Sequence, residues 1–330
     1  MSGPGLYGTQ DIGGDPMTDS ADDSAQVAGR SPLRIAFDRL RRDKIAVVSA
    51  AVVLLFFLIA IFAPLITAAF GVDPDTRYNR LLEFDGYPAV GASLDHPFGI
   101  EPTNGRDLFA RWVYGARYSV LIAVTAASVA TFLGIVVGLV AGFFGGWVDR
   151  VLSFVIDVFL SLPFLLIAIA VAPIVAAQFA SQGLDVFGRA QLIVLILILS
   201  VFGWMGLARL IRGEVLSLRE REFILAARAI GAPTHRILFR ELLPNLVAPI
   251  VISISLGIPA YVTAEAGLSL LGVGLVEQPS WGRTISAAIN WFGIVNGYLL
   301  APVLGVLALV LALNLLGDSV RDALDPKTRR

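Results

Sequence analysis

Cysteine is absent from the 330 residues of this chain, and lysine and histidine occur only twice each. Without cysteine the chain can form no disulfide and can supply neither a thiol nucleophile nor a thiolate metal ligand. The two lysines, Lys44 and Lys327, follow Asp43 and Pro326. Neither therefore completes the Gly-x-x-x-x-Gly-Lys-Ser/Thr loop that cradles nucleotide phosphates.

Charged residues are also scarce, at 15% of the chain against 56% hydrophobic residues, and the mean hydropathy is +0.78. This composition predicts a protein of the lipid bilayer. A helix needs about 20 mostly apolar residues to cross a bilayer, so an all-α polytopic fold with six transmembrane helices is expected. The six segments lie at about residues 45–66, 119–142, 152–175, 191–208, 246–268 and 298–316.

The basic residues predict the orientation of these spans. With the N terminus in the cytoplasm, 18 of the 25 Lys and Arg residues fall on the inner side. That is the expected bias, because Lys and Arg accumulate near the cytoplasmic ends of spans. Since the number of spans is even, both the N and the C termini are predicted to be cytoplasmic.

The segments outside the spans differ in composition. Residues 1–30 are rich in Gly, Ser and Asp, which predicts a disordered cytoplasmic tail. Over residues 31–44, Leu33, Phe37 and Leu40 recur at helical spacing among arginines, which favours an amphipathic interfacial helix. A solvated leader to the first span is the alternative. The remaining assignments are the first span and external loop at 45–118, a core of five spans at 119–318 with a loop at 209–245, and a cytoplasmic tail at 319–330.

Two features inside the spans have both a functional and a structural interpretation. Asp157 and Glu265 are ionisable groups in apolar segments, and such groups usually face a cavity or a polar partner. We assign neither to a binding site. The other feature is a stripe of small residues that suits either a subunit interface or internal helix packing. It consists of Ala126, Ala130, Gly134, Gly138 and Gly142.

The loop between the fourth and fifth spans has the pattern of two helices joined by a turn. Helix-forming residues at 222–230 precede Gly231, which suits a left-handed cap, and Pro233, which stops the helix. A second helix is predicted over about 234–243, before Pro244. Alanines keep the surface free of long side chains, as docking into a groove of another protein requires, with arginines at the rim. An ordinary basic cytoplasmic loop is the alternative.

Ala-Ala at 226–227, Gly231 and Leu-Leu-Pro-Asn at 242–245 resemble the Glu-Ala-Ala, Gly, Leu-Pro signature of bacterial ABC importer permease subunits. Leu225 and Glu241 depart from it, because Glu and His are common at those two positions. Further motifs resemble the dipeptide, oligopeptide and nickel group, specifically its second, C-type permease. They are His-Pro-Phe-Gly-Ile at 96–100, Asn-Gly-Arg-Asp-Leu at 104–108, Tyr-Gly-Ala-Arg-Tyr-Ser at 114–119, Gly-Gly-x-x-Asp-Arg at 145–150, Leu-Pro-Phe-Leu-Leu-Ile-Ala at 162–168, Glu-Ala-Gly-Leu-Ser-Leu-Leu-Gly-Val-Gly at 265–274 and Pro-Ser-Trp-Gly at 279–282.

The resemblance implies a type I ABC importer permease fold and a subunit of an ATP-driven importer for di- or oligopeptides. It implies four kinds of partner: a second related permease, two cytoplasmic ABC ATPase subunits, an extracytoplasmic substrate-binding protein and the lipid bilayer. ATP and Mg are expected in the partner subunits, with no cofactor in this chain and no nucleic acid. The residues expected to couple to the ATPase are Glu222, Ala226, Ala227, Arg228, Gly231, Ala232, Pro233, Leu243 and Pro244.

Other functional classes fit this sequence less well. His96 is predicted outside and His235 inside, so the two cannot share a metal ion. No Gly-x-Ser-x-Gly nucleophile turn occurs, and the chain is predicted not to be an enzyme. A secondary transporter, which typically has related halves and charged mid-membrane sites, or a channel subunit is the alternative. Uptake in the absence of any ATPase subunit would indicate that alternative.

Overall fold

The computed structural model describes residues 32–276 and 278–325. The tail predicted at 1–30 and the last five residues lie outside this part of the chain. Within it the protein is helical, and β pairing is confined to three isolated bridges in the loop before the second span. Six of the described helical segments are long and apolar enough to cross a membrane, which confirms the predicted number of spans.

The helices are numbered here in chain order. The first eight are α1 Pro32–Arg42, α2 Lys44–Ile61, α3 Ala63–Ala69, α4 Leu108–Phe144, α5 Gly146–Ser161, α6 Phe164–Ala177, α7 Leu184–Gly203 and α8 Met205–Leu218. The others are α9 Glu222–Ala229, α10 Thr234–Arg236, α11 Leu243–Asn245, α12 Val247–Leu270, α13 Trp281–Ala288 and α14 Asn296–Leu324. The six spanning segments are Lys44–Ile61, Leu108–Phe144, Phe164–Gln182, Leu184–Leu218, Val247–Leu270 and Asn296–Leu324.

The continuous third span predicted at 152–175 is wrong. α5 ends at Ser161 and α6 begins at Phe164, with Leu162 in an extended conformation (φ −76°, ψ 130°). Pro163 explains the break, because proline removes a backbone donor and disfavours a helical conformation at the preceding residue. The segment long and apolar enough to cross a membrane begins with α6, at Phe164, and α5 precedes it as a separate, amphipathic helix.

The second span begins earlier than predicted. α4 starts at Leu108, so residues 108–118 form its first turns rather than the end of the external loop. Asp107 caps the helix, and its Oδ1 accepts a hydrogen bond from the Ala110 N–H at 2.7 Å. Arg111 and Arg117 reduce the hydropathy of these turns, which is why a hydropathy criterion places the span too late. The C-terminal tail predicted from residue 319 likewise begins inside α14, which continues to Leu324.

α4 lies at the centre of the molecule and packs against α2, α7, α8 and α12. Trp281, at the start of α13, is fully buried in this core. Its ring packs edge-to-face on Phe56 with centroids 5.5 Å apart, and its indole N–H donates to the Trp112 carbonyl at 2.9 Å. A Cβ on Gly115 would lie 2.7 Å from the Trp281 ring, so glycine allows this close approach. Trp281 thereby joins α2, α4 and α13.

α1 is helical, as predicted, and packs against the end of α14. The Ser319 hydroxyl donates to Asp43 Oδ2 at 2.9 Å, and Asp43 Oδ1 accepts from the Ile45 N–H at 2.9 Å. Asp43 therefore caps α2 and links it to α14. The position of α1 at a membrane surface stays a prediction.

Candidate functional site

Residues 222–245, called the corner below, connect α8 to α12. Its first helix, α9, ends in a Schellman motif. The Gly231 N–H donates to the Arg228 carbonyl, and the Ala232 N–H donates to the Ala227 carbonyl, each at 3.0 Å. Gly231 adopts φ +76°, a left-handed conformation that glycine reaches without strain. The cap predicted from the sequence at Gly231 is confirmed.

The second half of the corner is one helical run with an unexpected π segment. Pro233 is extended (φ −67°, ψ 149°) and precedes α10, and a π-helix occupies Ile237–Leu242 before α11. Pro244 lies two residues after the π segment, and a proline ring clashes with the carbonyl four residues earlier in a regular α-helix. The wider π turn relieves that clash. The predicted second helix is therefore present, but it continues to Asn245.

An apolar underside fixes the corner to the spans. Ile224, Ile237 and Leu242 are 0%, 3% and 0% exposed. They belong to a cluster that also contains Leu139 of α4, Ile211 and Val215 of α8, and Ile250 of α12. Full burial of a side chain of this size stabilises by about 1.5–3 kcal/mol relative to exposure. The corner is thus held on three spans at once.

The nine residues predicted to couple to an ATPase divide into two groups. Six are exposed: Glu222, Ala226, Arg228, Gly231, Pro233 and Pro244. Ala227, Ala232 and Leu243 are partly buried and pack against the underside cluster. The structure therefore leaves the first group exposed and uses the second to attach the corner.

Sequence reasoning missed the apolar part of the open surface. Phe223, Leu225, Ile230 and Phe239 are 42%, 48%, 81% and 65% exposed. The helical phase of Ile224 could have shown that Phe223 and Leu225 point away from the core. An exposed apolar group of this kind, bordered by charged side chains, is typical of a protein interaction surface.

Arg228 has a contact within the chain as well as an exposed position. Its guanidinium carbon lies 5.2 Å from the centroid of the Phe143 ring, within the range of a cation–π interaction. Phe143 lies at the C-terminal end of α4. Arg228 therefore connects the outer face of α9 to the central helix.

The stripe of small residues on α4 packs inside the chain. All five of its residues are buried, and the glycines face α8. A Cβ on Gly138 would lie 2.7 Å from the Ala208 carbonyl oxygen, and one on Gly142 would lie 2.7 Å from Val215 Cβ. Of the two interpretations left open by the sequence, internal packing is therefore the one that the structure shows.

The two ionisable groups in the spans have opposite surroundings. Glu265 is 1% exposed and accepts hydrogen bonds from the Ser119 hydroxyl at 2.9 Å and the Ser269 hydroxyl at 3.0 Å. It therefore joins α12 to α4. Asp157 is exposed and accepts from Arg209 Nη2 at 2.6 Å, between α5 and α8.

The loop before α4 carries a second buried polar group. His96 Nδ1 lies 2.7 Å from Asp107 Oδ2, and Tyr78 packs edge-to-face on the His96 ring at 4.7 Å. Burial, together with the charges of Asp107 and Asp73, raises the pKa of Tyr78. Because Asp107 also caps α4, this contact fixes the loop to the start of the central helix.

Comparison with known proteins places this architecture in a family. Residues 134–330 match the family of binding-protein-dependent transport system inner membrane components. Residues 31–82 match the N-terminal transmembrane domain of oligopeptide transport permease C. The chain belongs to the binding-protein-dependent transport permeases. It is a multi-pass protein of the bacterial cytoplasmic membrane, in a family of transport permeases rather than of known enzymes.

Curated relatives resemble this permease along nearly its whole length. It is 36% identical over 315 residues to the dipeptide transport system permease protein of Alkalihalophilus pseudofirmus, covering 95% of this chain and 96% of the relative. Identity is 32% over 319 residues to the oligopeptide transport system permease protein of Bacillus subtilis, with 96% and 97% covered. It is 35% over 301 residues to the glutathione transport system permease protein of Escherichia coli, with 91% and 92% covered.

A solved structure shows the same fold at lower sequence identity. A chain of the inward-facing MetNI methionine ABC transporter superposes on the permease with a TM-score of 0.51 at 20% identity. The match covers 65% of this chain and 96% of the other. The predicted ABC importer permease fold is thus confirmed.

Proposed function

We propose that this permease forms one half of the translocation path of an ATP-driven importer for di- or oligopeptides. The relatives carry dipeptide, oligopeptide and glutathione in their names. What these solutes share is a short peptide. The other half of the path comes from a second, related permease, and an extracytoplasmic substrate-binding protein delivers the solute.

The corner is the segment that docks a cytoplasmic ABC ATPase in this proposal. One observation carries it: the corner is anchored by a buried underside and exposes an apolar and basic face, whose large apolar side chains are 42–81% exposed. This chain has no phosphate-binding loop, so ATP and Mg bind to the ATPase subunits in this proposal. Two such subunits are present, one docked on each permease. The N and C termini then lie in the cytoplasm, on the side of the corner.

The spans that hold the corner explain how its movement reaches the bilayer. Ile224 and Leu242 contact the cluster shared by α4, α8 and α12. A displacement of the corner by the ATPase therefore moves these helices with it, since close-packed interfaces shift as bodies rather than deform.

Co-purification of the permease with its ATPase tests this proposal. Ala226→Arg places a long charged side chain on the open face of α9, where Ala226 has no packing role, and we expect loss of the ATPase from the purified complex. Ala92→Arg is the matched control, because Ala92 is exposed in the loop before α4. Retention of the ATPase and of ATP-dependent uptake by Ala226→Arg would show that the corner is not the docking element.

A further inference from the structure

Asp157 of α5 and Arg209 of α8 form an ion pair whose side chains are exposed, in a transmembrane region where exposed charge is unfavourable. The Oδ1–Nη2 distance is 2.6 Å, and the side chains are 65% and 57% exposed, respectively. Arg209 lies in the segment Leu184–Leu218, which is long and apolar enough to cross a membrane, nine residues before its end. Nine residues of α-helix correspond to a rise of about 14 Å. The pair is therefore held well inside a candidate membrane span rather than at its end.

Lipid is an unsuitable neighbour for this pair. Charged side chains at hydrocarbon depth are costly and face a water-filled cavity or the interior of a bundle. The exposed face of α8 agrees with this, because Leu210 is the one large apolar residue among its exposed positions. Its exposed residues are Gly206, Arg209, Leu210, Gly213, Glu214 and Ser217. The opposite face of α8 packs on α4 through buried residues such as Ala208 and Ile211.

The space beside this exposed face of α8 is open. A Cβ built on Gly206 or on Gly213 would meet no heavy atom within 4 Å. The hydrogen-bonding capacity of the pair is also incompletely used, because Arg209 is the one hydrogen-bond partner of the Asp157 side chain among the described residues. Space and unused acceptor and donor positions thus occur at the same place.

A second ion pair between the same two helices shows what a structural pair looks like here. Asp149 pairs with Arg212 through two nitrogens and also accepts from the Ser153 hydroxyl at 3.2 Å. Its side chains are only 18% and 30% exposed. The pair of Asp149 and Arg212 therefore suffices to join α5 to α8, and the exposed pair is not needed for that purpose.

We propose that Asp157, Arg209 and the polar face of α8 line the inner part of the solute path, where the pair binds the two charged ends of a zwitterionic peptide. The Asp157 carboxylate fits the protonated amino terminus, and the Arg209 guanidinium fits the terminal carboxylate in a bidentate arrangement. An exposed ion pair contributes little to stability, so exchanging it for ligand contacts costs the fold little. This inference rests on the proposed function and adds the residues that contact the peptide.

The absence of cysteine makes the water-filled path directly testable. We would label Gly206→Cys and Gly213→Cys with a charged, membrane-impermeant thiol reagent in the complete importer in proteoliposomes oriented with the cytoplasmic side accessible. Leu307→Cys is the exposed apolar control, since Leu307 is 57% exposed on α14, and Ala208→Cys is the buried control at 0%. We expect both glycine positions to react at least about tenfold faster than both controls, because only thiols in contact with water ionise and react. Reaction of neither glycine position above the controls would overturn the proposal.

Uptake selectivity tests the contact with peptide. In proteoliposomes with the delivery protein, ATP-dependent uptake of dialanine would be compared with that of N-acetyl-dialanine and of dialanine amide. Relative to the unmodified importer, Arg209→Gln should lower the preference for the free carboxylate about threefold to tenfold, and Asp157→Asn the preference for the free amino terminus by a similar factor. Asp149→Asn is the matched control and should leave both ratios unchanged. Because the delivery protein is the same throughout, its own selectivity cancels in these comparisons.

The outcomes separate this inference from the function on which it rests. An unmodified importer that takes up no dialanine with ATP would refute the peptide proposal itself. Normal uptake with unchanged ratios in Asp157→Asn and Arg209→Gln would refute only the assignment of these residues.

Discussion

Gly231 offers a prediction in which folding and docking respond differently to the size of a side chain. Its φ of +76° is a left-handed conformation, and a Cβ built there meets no heavy atom within 4 Å. A left-handed conformation costs a residue other than glycine about 1–2 kcal/mol. Because the neighbouring space is open, the isolated permease should lose this amount in Gly231→Ala and no more in Gly231→Trp.

Gly138 provides the contrasting case in the same chain. A Cβ there would lie 2.7 Å from the Ala208 carbonyl oxygen and 2.7 Å from Ile211 Cβ. Backbone atoms cannot move aside as the end of a flexible side chain can, so Gly138→Ala forces α4 and α8 apart. Overpacking of this kind typically costs about 1–3 kcal/mol. Larger residues at position 138 should be progressively worse.

The assay is the fraction of purified permease that stays monodisperse after heating, measured for both residue series and followed by retention of the ATPase. At position 231 we expect stability to be independent of side-chain size, whereas ATPase retention falls steeply from Ala to Trp. At position 138 we expect stability to fall with size. A thermal stability that declines from Gly231→Ala to Gly231→Trp would refute the reasoning, since it would mean that the space beside Gly231 is occupied within the permease.

Two further predictions concern the core and the end of the chain. Trp281→Ala removes a fully buried indole that packs on Phe56, so we expect a loss of about 3–5 kcal/mol, measured as a large fall in thermal stability. Hydrogen bonds from the Ser319 hydroxyl and the Ile45 N–H hold the pKa of Asp43 below its ordinary value of 3.8. The stability that the ionised Asp43 carboxylate contributes is therefore present at neutral pH and is lost as the pH falls through the pKa of Asp43 in the folded protein. The protection of the α1 amides against hydrogen exchange, relative to the intrinsic exchange rate at each pH, should therefore fall towards acid pH, and Asp43→Asn should remove this dependence.

The features that could be predicted from the sequence are those fixed by local chemistry. Hydropathy counts apolar residues, so the number of spans follows from it even where the boundaries do not. The cap at Gly231 follows from glycine before proline, because few residues adopt a left-handed φ and proline cannot continue a helix. Pro163 likewise indicates a break in the helix, but the apolar residues on both sides of it have the hydropathy of one continuous span.

The remaining features depend on contacts between distant residues. Ala226 and Ala227 are adjacent and identical, yet one is exposed and the other packs on the underside, and only the position of Ile224 against α4 and α8 decides which is which. The pair of Asp157 and Arg209 joins residues 52 positions apart, so no local pattern could place them together. The same limit applies to the small residues of α4, whose spacing fits a helix partner but does not say which one.

Burial, rather than residue type, distinguishes the side chains that hold the helices of this permease together from those that are open to a ligand or a partner. Glu265 is enclosed by serine hydroxyls at the joint of α4 and α12, and a charged partner has no route to it through the close-packed interior. Asp157 belongs to the same acidic class and lies on an open polar face. In the corner, likewise, Ile224 attaches while Ile230 is exposed. Since the attached members of each set already hold the helices together, the exposed members are free to contact something outside this chain.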